Sequence, residues 1–475
     1  MKYETVIGLE VHLQLNTKTK AFCSCSTDFG NPPNTNICPV CLGLPGSLPV
    51  YNRQALNFAI KLALAFNCQI QEHTKFDRKN YFYPDLPKNY QISQYDLPLS
   101  RHGYLDILAD GNPKRIGITR VHLEEDAGKL IHEETASLVD FNRTGIPLLE
   151  IVSEPDLNSP QEAFDYLTAL KSVIGYLDVS DCDMEKGSLR CDANISLRPA
   201  GSKTLGVKTE LKNMNSFKGV KDALTYEVQR QTKLLESGSS LVQETRLWDD
   251  QGGVTVAMRT KEGSKDYRYF PDPDLTVFLI EQSLIDQIKA NLPELPQEKM
   301  RRFMQEYGLS EYDAKILTGT KSTAQLSESY IQMFPGQDKK EIVNWLIGPV
   351  LSEANLRKVE LPELKLDKQE LINLIGFVQK QEISYLAAKT VLARMLDTGK
   401  PAGVLIREGD LRQISDASAL VQVIEAVIQE NVKSVNDFRS GKSNALMFLV
   451  GQVMKKSSGK ANPKIVQDLI RERLG

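Results

Sequence analysis

The hydrophobic positions of this chain follow two regimes. Up to N-L-P-E-L-P, at about residue 296, the recurrent period is two. Val6 to Leu15, V-I-G-L-E-V-H-L-Q-L, alternates strictly. As a strand it puts Ile7, Leu9, Val11, Leu13 and Leu15 on one face and Gly8, Glu10, His12 and Gln14 on the other. Ile116 to Glu125 reads as a second strand, ending in the acidic run Glu124-Glu125-Asp126. Asp140 to Asp156 embeds Glu150 in an apolar run, where an unpaired carboxylate is costly. Leu189 to Arg198 alternates as cleanly as the first strand, with Arg190, Asp192 and Asn194 on its polar face, and Lys208, Glu210 and Lys212 share the polar face of another.

Helical signals interrupt these strands. N-R-Q-A-L-N-F-A-I-K-L-A-L-A-F carries apolar residues at helical spacing. Ser159-Pro160-Gln161-Glu162 is a capping box that predicts a helix of about fifteen residues. A longer helix is expected from about Ser216 to Ser237, stopped by Gly238. Strands interleaved with a few long helices favour an α+β domain with a mixed or antiparallel sheet over a doubly wound one. Beyond residue 296 the pattern is helical and strands are scarce. The expected domains are therefore a cradle-like sheet domain over 1–293, an all-α domain over 294–400 and a small helical tail over 401–475, set off by the loop Thr398 to Gly403.

Composition narrows the class. The 475 residues, 41% hydrophobic and 25% charged, suit two to four domains with cores of their own. With 58 basic and 61 acidic residues the net charge is -3, so a nucleic-acid surface must be a local patch. One such patch lies between Lys433 and Arg473, where nine basic residues face Asp437, Asp468 and Glu472. It includes Lys455, Lys456, Lys460 and Lys464, and lysines without interleaved aromatics suit a phosphate backbone rather than base readout. A solvated lysine-rich face is the alternative. Met1-Lys2-Tyr3-Glu4 leads straight into a strand, and no segment approaches the roughly 20 apolar residues of a membrane span. A cytoplasmic protein without membrane association is expected.

Cys23, Cys25, Cys38 and Cys41 form C-x-C and C-P-x-C around a turn-rich loop, a spacing that suits a closed, structural zinc site, with plain reduced cysteines as the alternative. Arg78 to Leu97 holds four tyrosines, Lys79, Lys88 and two prolines, and reads as a loop gripping a polyanionic or planar ligand, or else packed on its own aromatics. Glu10, Glu124, Glu125, Glu150, Asp192 and Glu210, with His12, are too many carboxylates for one solvated patch, and oxygen-rich sites with an imidazole suit magnesium. Glu124 and Glu125 are adjacent, so both reach one ion only if the strand has ended or bulges there. Magnesium and lysines suggest phosphoryl transfer, yet no G-x-x-x-x-G-K-[ST] loop, kinase motif set or G-x-G-x-x-G is present, and no G-x-S-x-G marks a hydrolase nucleophile.

Taken together, several motifs resemble a known family. G-L-E-V-H, the cysteine knuckle, R-K-N-Y-F-Y-P-D-L-P-K-N-Y-Q-I-S-Q, H-L-E-E-D-A-G-K, D-F-N-R-T-G-I-P-L-L-E-I, L-R-C-D-A-N-I-S-L-R, E-L-K-N-M-N-S-F and D-Y-R-Y-F-P-D-P-D-L are similar, in order, to those of the GatB family, the B subunits of bacterial aspartyl/glutamyl-tRNA amidotransferases. The resemblance implies a carbon–nitrogen ligase using glutamine as amide donor. It would use ATP and magnesium to phosphorylate the side-chain carboxylate of glutamate on tRNA(Gln) or aspartate on tRNA(Asn). Ammonia channelled from a partner amidase, with a small accessory protein completing the heterotrimer, would then displace the phosphate. It also implies Glu10, His12, Glu124, Glu125 and Glu150 as metal ligands, Lys79 and Lys88 as phosphate or channel contacts, and Arg190, Asp192 and Glu210 along the ammonia route. A tail similar to the YqeY proteins would grip the tRNA. The competing reading is a non-catalytic, zinc-containing tRNA-binding scaffold, which leaves the carboxylates without a purpose.

Overall fold

The computed structural model describes residues 3–258, 267–411, 417–457 and 461–475. The chain divides into two compact units, Met1–Pro296 and Gln297–Gly475.

In the first unit the alternating stretches become β1 (Tyr3–Gln14), β2 (Gln69–Ile70), β3 (Ser100–Ala109), β4 (Asn112–Glu125), β5 (Pro147–Ser153), β6 (Leu189–Pro199), β7 (Thr209–Met214), β8 (Glu244–Asp249) and β9 (Val254–Ala257). They form one nine-stranded sheet in the order β9-β8-β7-β6-β1-β5-β4-β3-β2. Neighbours are antiparallel except β7 and β8. The exception follows from connectivity: a long helix joins these two strands, and a crossover of that length returns the chain parallel.

Three helices, α1 (Arg53–Ala65), α2 (Pro160–Leu177) and α3 (Phe217–Glu236), cover one face of the sheet. Ile7, Leu9, Val11 and Leu13 are buried there with Ile60, Leu62, Leu167, Leu170, Val220 and Leu224. Burying each such side chain contributes about 2 kcal/mol. Asn52 and Ser216 cap α1 and α3 by accepting from backbone N–H groups of the first turn. At α2 the expected capping box is half formed. Ser159 Oγ accepts from Glu162 N at 3.1 Å, but the Glu162 carboxylate accepts from Asn158 N at 2.7 Å and pairs with Lys114 at 2.6 Å.

The tyrosine-rich segment is more ordered than the loop expected from its composition. Its ends are strands, Asp77–Asn80 and Tyr90–Ser93, which pair with each other, and Phe270–Pro271 pairs with the first of them to complete a small separate sheet. Tyr95 stacks on Tyr269 with centroids 4.4 Å apart.

The second unit is built from helices around two cores. One gathers residues from Phe303 to Ile406, the other from Leu420 to Leu474. At the Thr398–Gly403 loop the helix Tyr385–Thr398 ends on Gly399 in the left-handed region, φ 68°. The next helix, Ala402–Glu408, still packs Ala402, Leu405 and Ile406 into the first core. No helix among the described residues is long and apolar enough to cross a membrane.

Candidate functional site

Register builds the site on the sheet face opposite the three helices. Arg190 on β6 pairs with His12 on β1, His12 with Glu150 on β5, and Glu150 with His122 on β4, so four polar side chains form one row across four strands. Two residues along each strand, Glu10 and Glu124 point to the same side. His12 Nε2 lies 3.3 Å from Glu150 Oε2 and 3.6 Å from both Glu124 Oε1 and Glu10 Oε1. His122 Nε2 is 3.7 Å from Glu150 Oε2 and 3.9 Å from Glu124 Oε2. Two overlapping groups, Glu10/His12/Glu150 and His122/Glu124/Glu150, each bring their ligand atoms within 4.8 Å of one another. Ser93 Oγ donates to Glu124, and Lys79 Nζ sits 4.9 Å over the Tyr267 ring.

The electrostatics of this face call for a cation. Burial pushes the Glu124 carboxyl up to about 7, with Glu150 repelling it further, and burial together with Glu150 also raises Glu10. Burial works against protonation of His12, yet its hydrogen bond to Glu150 and the charges of Glu124, Glu150 and Glu10 hold it up to about 9. Burial draws the fully enclosed His122 down to about 4 and leaves its Nδ1 without a hydrogen-bond partner. Each group offers one imidazole and two carboxylates, a donor set for a divalent ion once the imidazole is neutral, as His122 already is, and oxygen predominance suits magnesium. The residues present fit that ion.

Glu125 does not join them. The register runs regularly from Leu123↔Leu149 through Glu125↔Pro147, so the strand neither ends nor bulges before it. Strand alternation therefore turns Glu125 to the other face. There it pairs with Lys88 and accepts from Ile92 N at 2.9 Å. Placing Glu124 and Glu125 in one ligand set is thus corrected.

The remaining candidates lie on the polar face of the neighbouring strands. Asp192 pairs with Lys212, which is 3.2 Å from Glu210, and Glu210 accepts from Thr245 Oγ1 at 2.7 Å. Arg190 Nη2 donates to the buried Asp126 at 2.8 Å. Asp126 also accepts from Gln14 at 2.6 Å, so the acidic run supplies a buried anchor as well as ligand-like carboxylates. Two residues of this face, His122 and Asp126, were not among the sequence candidates. Alternation alone points to both: they lie two residues either side of Glu124.

The four cysteines converge. Cys23, Cys25, Cys38 and Cys41 bring their sulfurs within 4.8 Å of one another. The hydrogen bond from Cys23, against burial, with the Cys38 N–H and the Lys20 charge, lowers Cys41 to about 5, while burial raises Cys25 to about 11. A thiolate ringed by thiols suits zinc, and the four donors leave no open position for catalysis. In the tail, Lys455, Lys456 and Lys464 are exposed and Lys456 pairs with Glu430; Lys460 lies outside the described residues.

These features describe a candidate metal centre, and comparison with known proteins gives the class, an amidotransferase. The model of the GatB/GatE catalytic domain matches residues 5–286, and that of the GatB domain matches residues 329–474. The chain is 52% identical to the B subunit of the aspartyl/glutamyl-tRNA(Asn/Gln) amidotransferase of Carboxydothermus hydrogenoformans, over all of this chain and 99% of the relative. It is 53% identical to that of Moorella thermoacetica and 52% to that of Thermoanaerobacter pseudethanolicus, over the whole of each. The chain belongs to the GatB family, the B subunits of aspartyl/glutamyl-tRNA(Asn/Gln) amidotransferases.

Proposed function

We propose that this chain carries out the ATP-dependent step of transamidation on glutamate mischarged to tRNA(Gln), aspartate mischarged to tRNA(Asn), or both. A carboxylate oxygen is a poor leaving group, so it must first be phosphorylated. The carboxylate oxygen takes the terminal phosphoryl group of ATP and ADP departs. Ammonia then attacks the acyl carbon, inorganic phosphate leaves with the C–O bonding pair, and the nitrogen sheds a proton to give the amide. Ammonia comes from a partner amidase, with a small accessory protein completing the complex, and the setting is the cytoplasm.

The row Arg190–His12–Glu150–His122 is the observation that carries this reading. Glu10, His12, Glu124 and Glu150, with His122, would hold magnesium. Bound there, the ion supplies charge neutralisation and alignment of phosphate oxygens. Lys79, beside the cluster, neutralises phosphate. Lys88, held by Glu125 on the other face of the sheet, would be a phosphate or channel contact, and Arg190, Asp192 and Glu210 would line the route of ammonia. The four cysteines hold a structural zinc. Lys455, Lys456, Lys460 and Lys464 contact tRNA phosphates.

The test is ATP hydrolysis by the chain assembled with its amidase and small accessory partners. Stimulation by mischarged glutamyl-tRNA but not by uncharged tRNA supports carboxylate phosphorylation. No ATP turnover with any charged tRNA would return the chain to the scaffold reading.

A further inference from the structure

We propose that the four-cysteine knuckle positions Lys88, coupling metal occupancy at the cysteines to the Lys88–Glu125 pair. Three contacts join the two. Gly43, two residues after Cys41, takes φ +67°, and a Cβ there would fall 2.4 Å from Lys88 Cγ and 3.3 Å from its Cα. The turn from Cys38 to Gly43 therefore lies directly against the lysine stem. Phe22, which precedes Cys23, has its ring 5.8 Å from Lys88 Nζ, with the Tyr90 ring 5.4 Å away on another side.

The third contact runs through Lys20, which is 0% exposed. Its Nζ donates to Cys41 Sγ at 3.6 Å and to the Phe141 carbonyl at 3.3 Å. A buried ammonium needs such partners, so Lys20 is tied to the knuckle. A Cβ placed on Gly145 would lie 3.6 Å from Lys20 Cδ, 3.7 Å from Cys41 Cβ and 3.7 Å from Glu125 Oε2, so one backbone position touches the knuckle, its lysine and the carboxylate. Lys20, Cys23, Cys41, Gly43, Lys88 and Glu125 line a common cavity of about 70 Å³.

The turn is held by short-range hydrogen bonds. Its internal bonds include Cys38 N to Cys41 Sγ at 3.1 Å, Leu42 N to Cys38 O at 3.1 Å and Gly43 N to Val40 O at 3.0 Å. A metal bridging both cysteine pairs fixes it. Without one, only these bonds and the Lys20 contact restrain the turn, and Gly43 is freer to move off the Lys88 stem. Lys20 and Gly43 are positioning residues, and Lys88 is what they position.

The consequence for the reaction rests on the proposed role of Lys88, whereas the geometric claim is tested separately. The full chain, zinc-loaded or stripped with a chelator, is pulsed with an acetylating reagent. Labelling of Lys88 is read by mass spectrometry against Lys339 of the helical unit. The Lys88/Lys339 ratio is expected to rise several-fold on stripping; an unchanged ratio overturns the proposal. Gly43→Ala keeps all four cysteines and is expected to raise the ratio at full zinc content. A wild-type ratio there overturns it too. Lys20→Met is expected to speed zinc loss to a chelator by about tenfold or more, as is usual when a partner of a metal ligand is removed, and unaltered zinc release refutes the Lys20 link. Amide formation from added ammonia that persists while Lys88 is freely labelled removes Lys88 from the reaction and leaves the positioning intact.

Discussion

Glu150 is the residue on which the two ligand groups meet. It is 7% exposed, flanked by imidazoles on both neighbouring strands, and held well below the usual carboxylate range against burial by His122 and by its hydrogen bond to His12. Glu150→Gln keeps shape and removes the charge shared by both groups. Charged-tRNA-stimulated ATP turnover is expected to fall about 10²-fold or more, the scale of losing a preorganised electrostatic group. tRNA affinity, measured by filter binding, is expected to hold. An equal loss of both would point to misfolding rather than to the cluster. Glu125 differs from its neighbour for a purely geometric reason, the two-residue period of the strand. Its candidacy rests on the family resemblance, against which its adjacency to Glu124 already speaks, while its partner Lys88 sits 37 residues away and could not be read from spacing.

At the scale of elements, α3 is fastened to β8 and β9 by a buried charge cluster that no local sequence pattern announces. Glu227, 0% exposed, accepts from Arg230 Nε at 2.9 Å and from Gln231 Nε2 at 3.0 Å, and lies 3.2 Å from Arg246 Nε. Burial opposes its ionisation, but the hydrogen bonds from Arg230, Thr255 and Gln231 win and hold its carboxyl below the ordinary range. A carboxyl whose pKa is lower folded than unfolded stabilises the fold above its unfolded pKa, and that contribution is lost as pH falls through the folded value. Glu227→Gln is expected to cost about 1 to 3 kcal/mol near neutral pH, because the Arg230 and Arg246 guanidinium groups are left to share Glu244 as counter-charge. Urea titrations at pH 7 and below pH 4 should show the gap between variant and wild type narrowing in acid. A gap independent of pH would mean that packing, not charge, sets the cost. The strand pattern of β1, β4 and β6 was legible because one face of each is buried and the other is not. β8 and β9 were not, since their short runs give too few residues for a period to stand out.

At the scale of the whole chain, the helical unit follows the change of period near residue 296, and its two cores reflect where apolar helix faces find partners. The tail lysines differ in circumstance: Lys456 is paired with Glu430, whereas Lys455 is exposed beside it. If both contact RNA phosphates, Lys455→Glu weakens tRNA binding more than Lys456→Ala. Each lost contact is expected to lower the slope of log K against log salt by about 0.7 to 0.9. A slope unchanged in both variants would leave the patch a solvated surface.

By itself the sequence determined the α+β class, the helical C-terminal half, the polar and apolar faces of the main strands, and a cysteine grouping suited to a metal. Each of these is carried by local periodicity or short spacing. Only the tertiary structure decided which polar residues meet. Strand order and register brought His12, Glu150 and His122 into one row from segments far apart in the chain, and sent Glu125 to Lys88 instead. It also set the knuckle against Lys88 through Gly43 and Lys20. The physical reason is that a side chain's face follows from its own backbone, whereas its neighbours follow from pairing between distant strands, which no local pattern encodes.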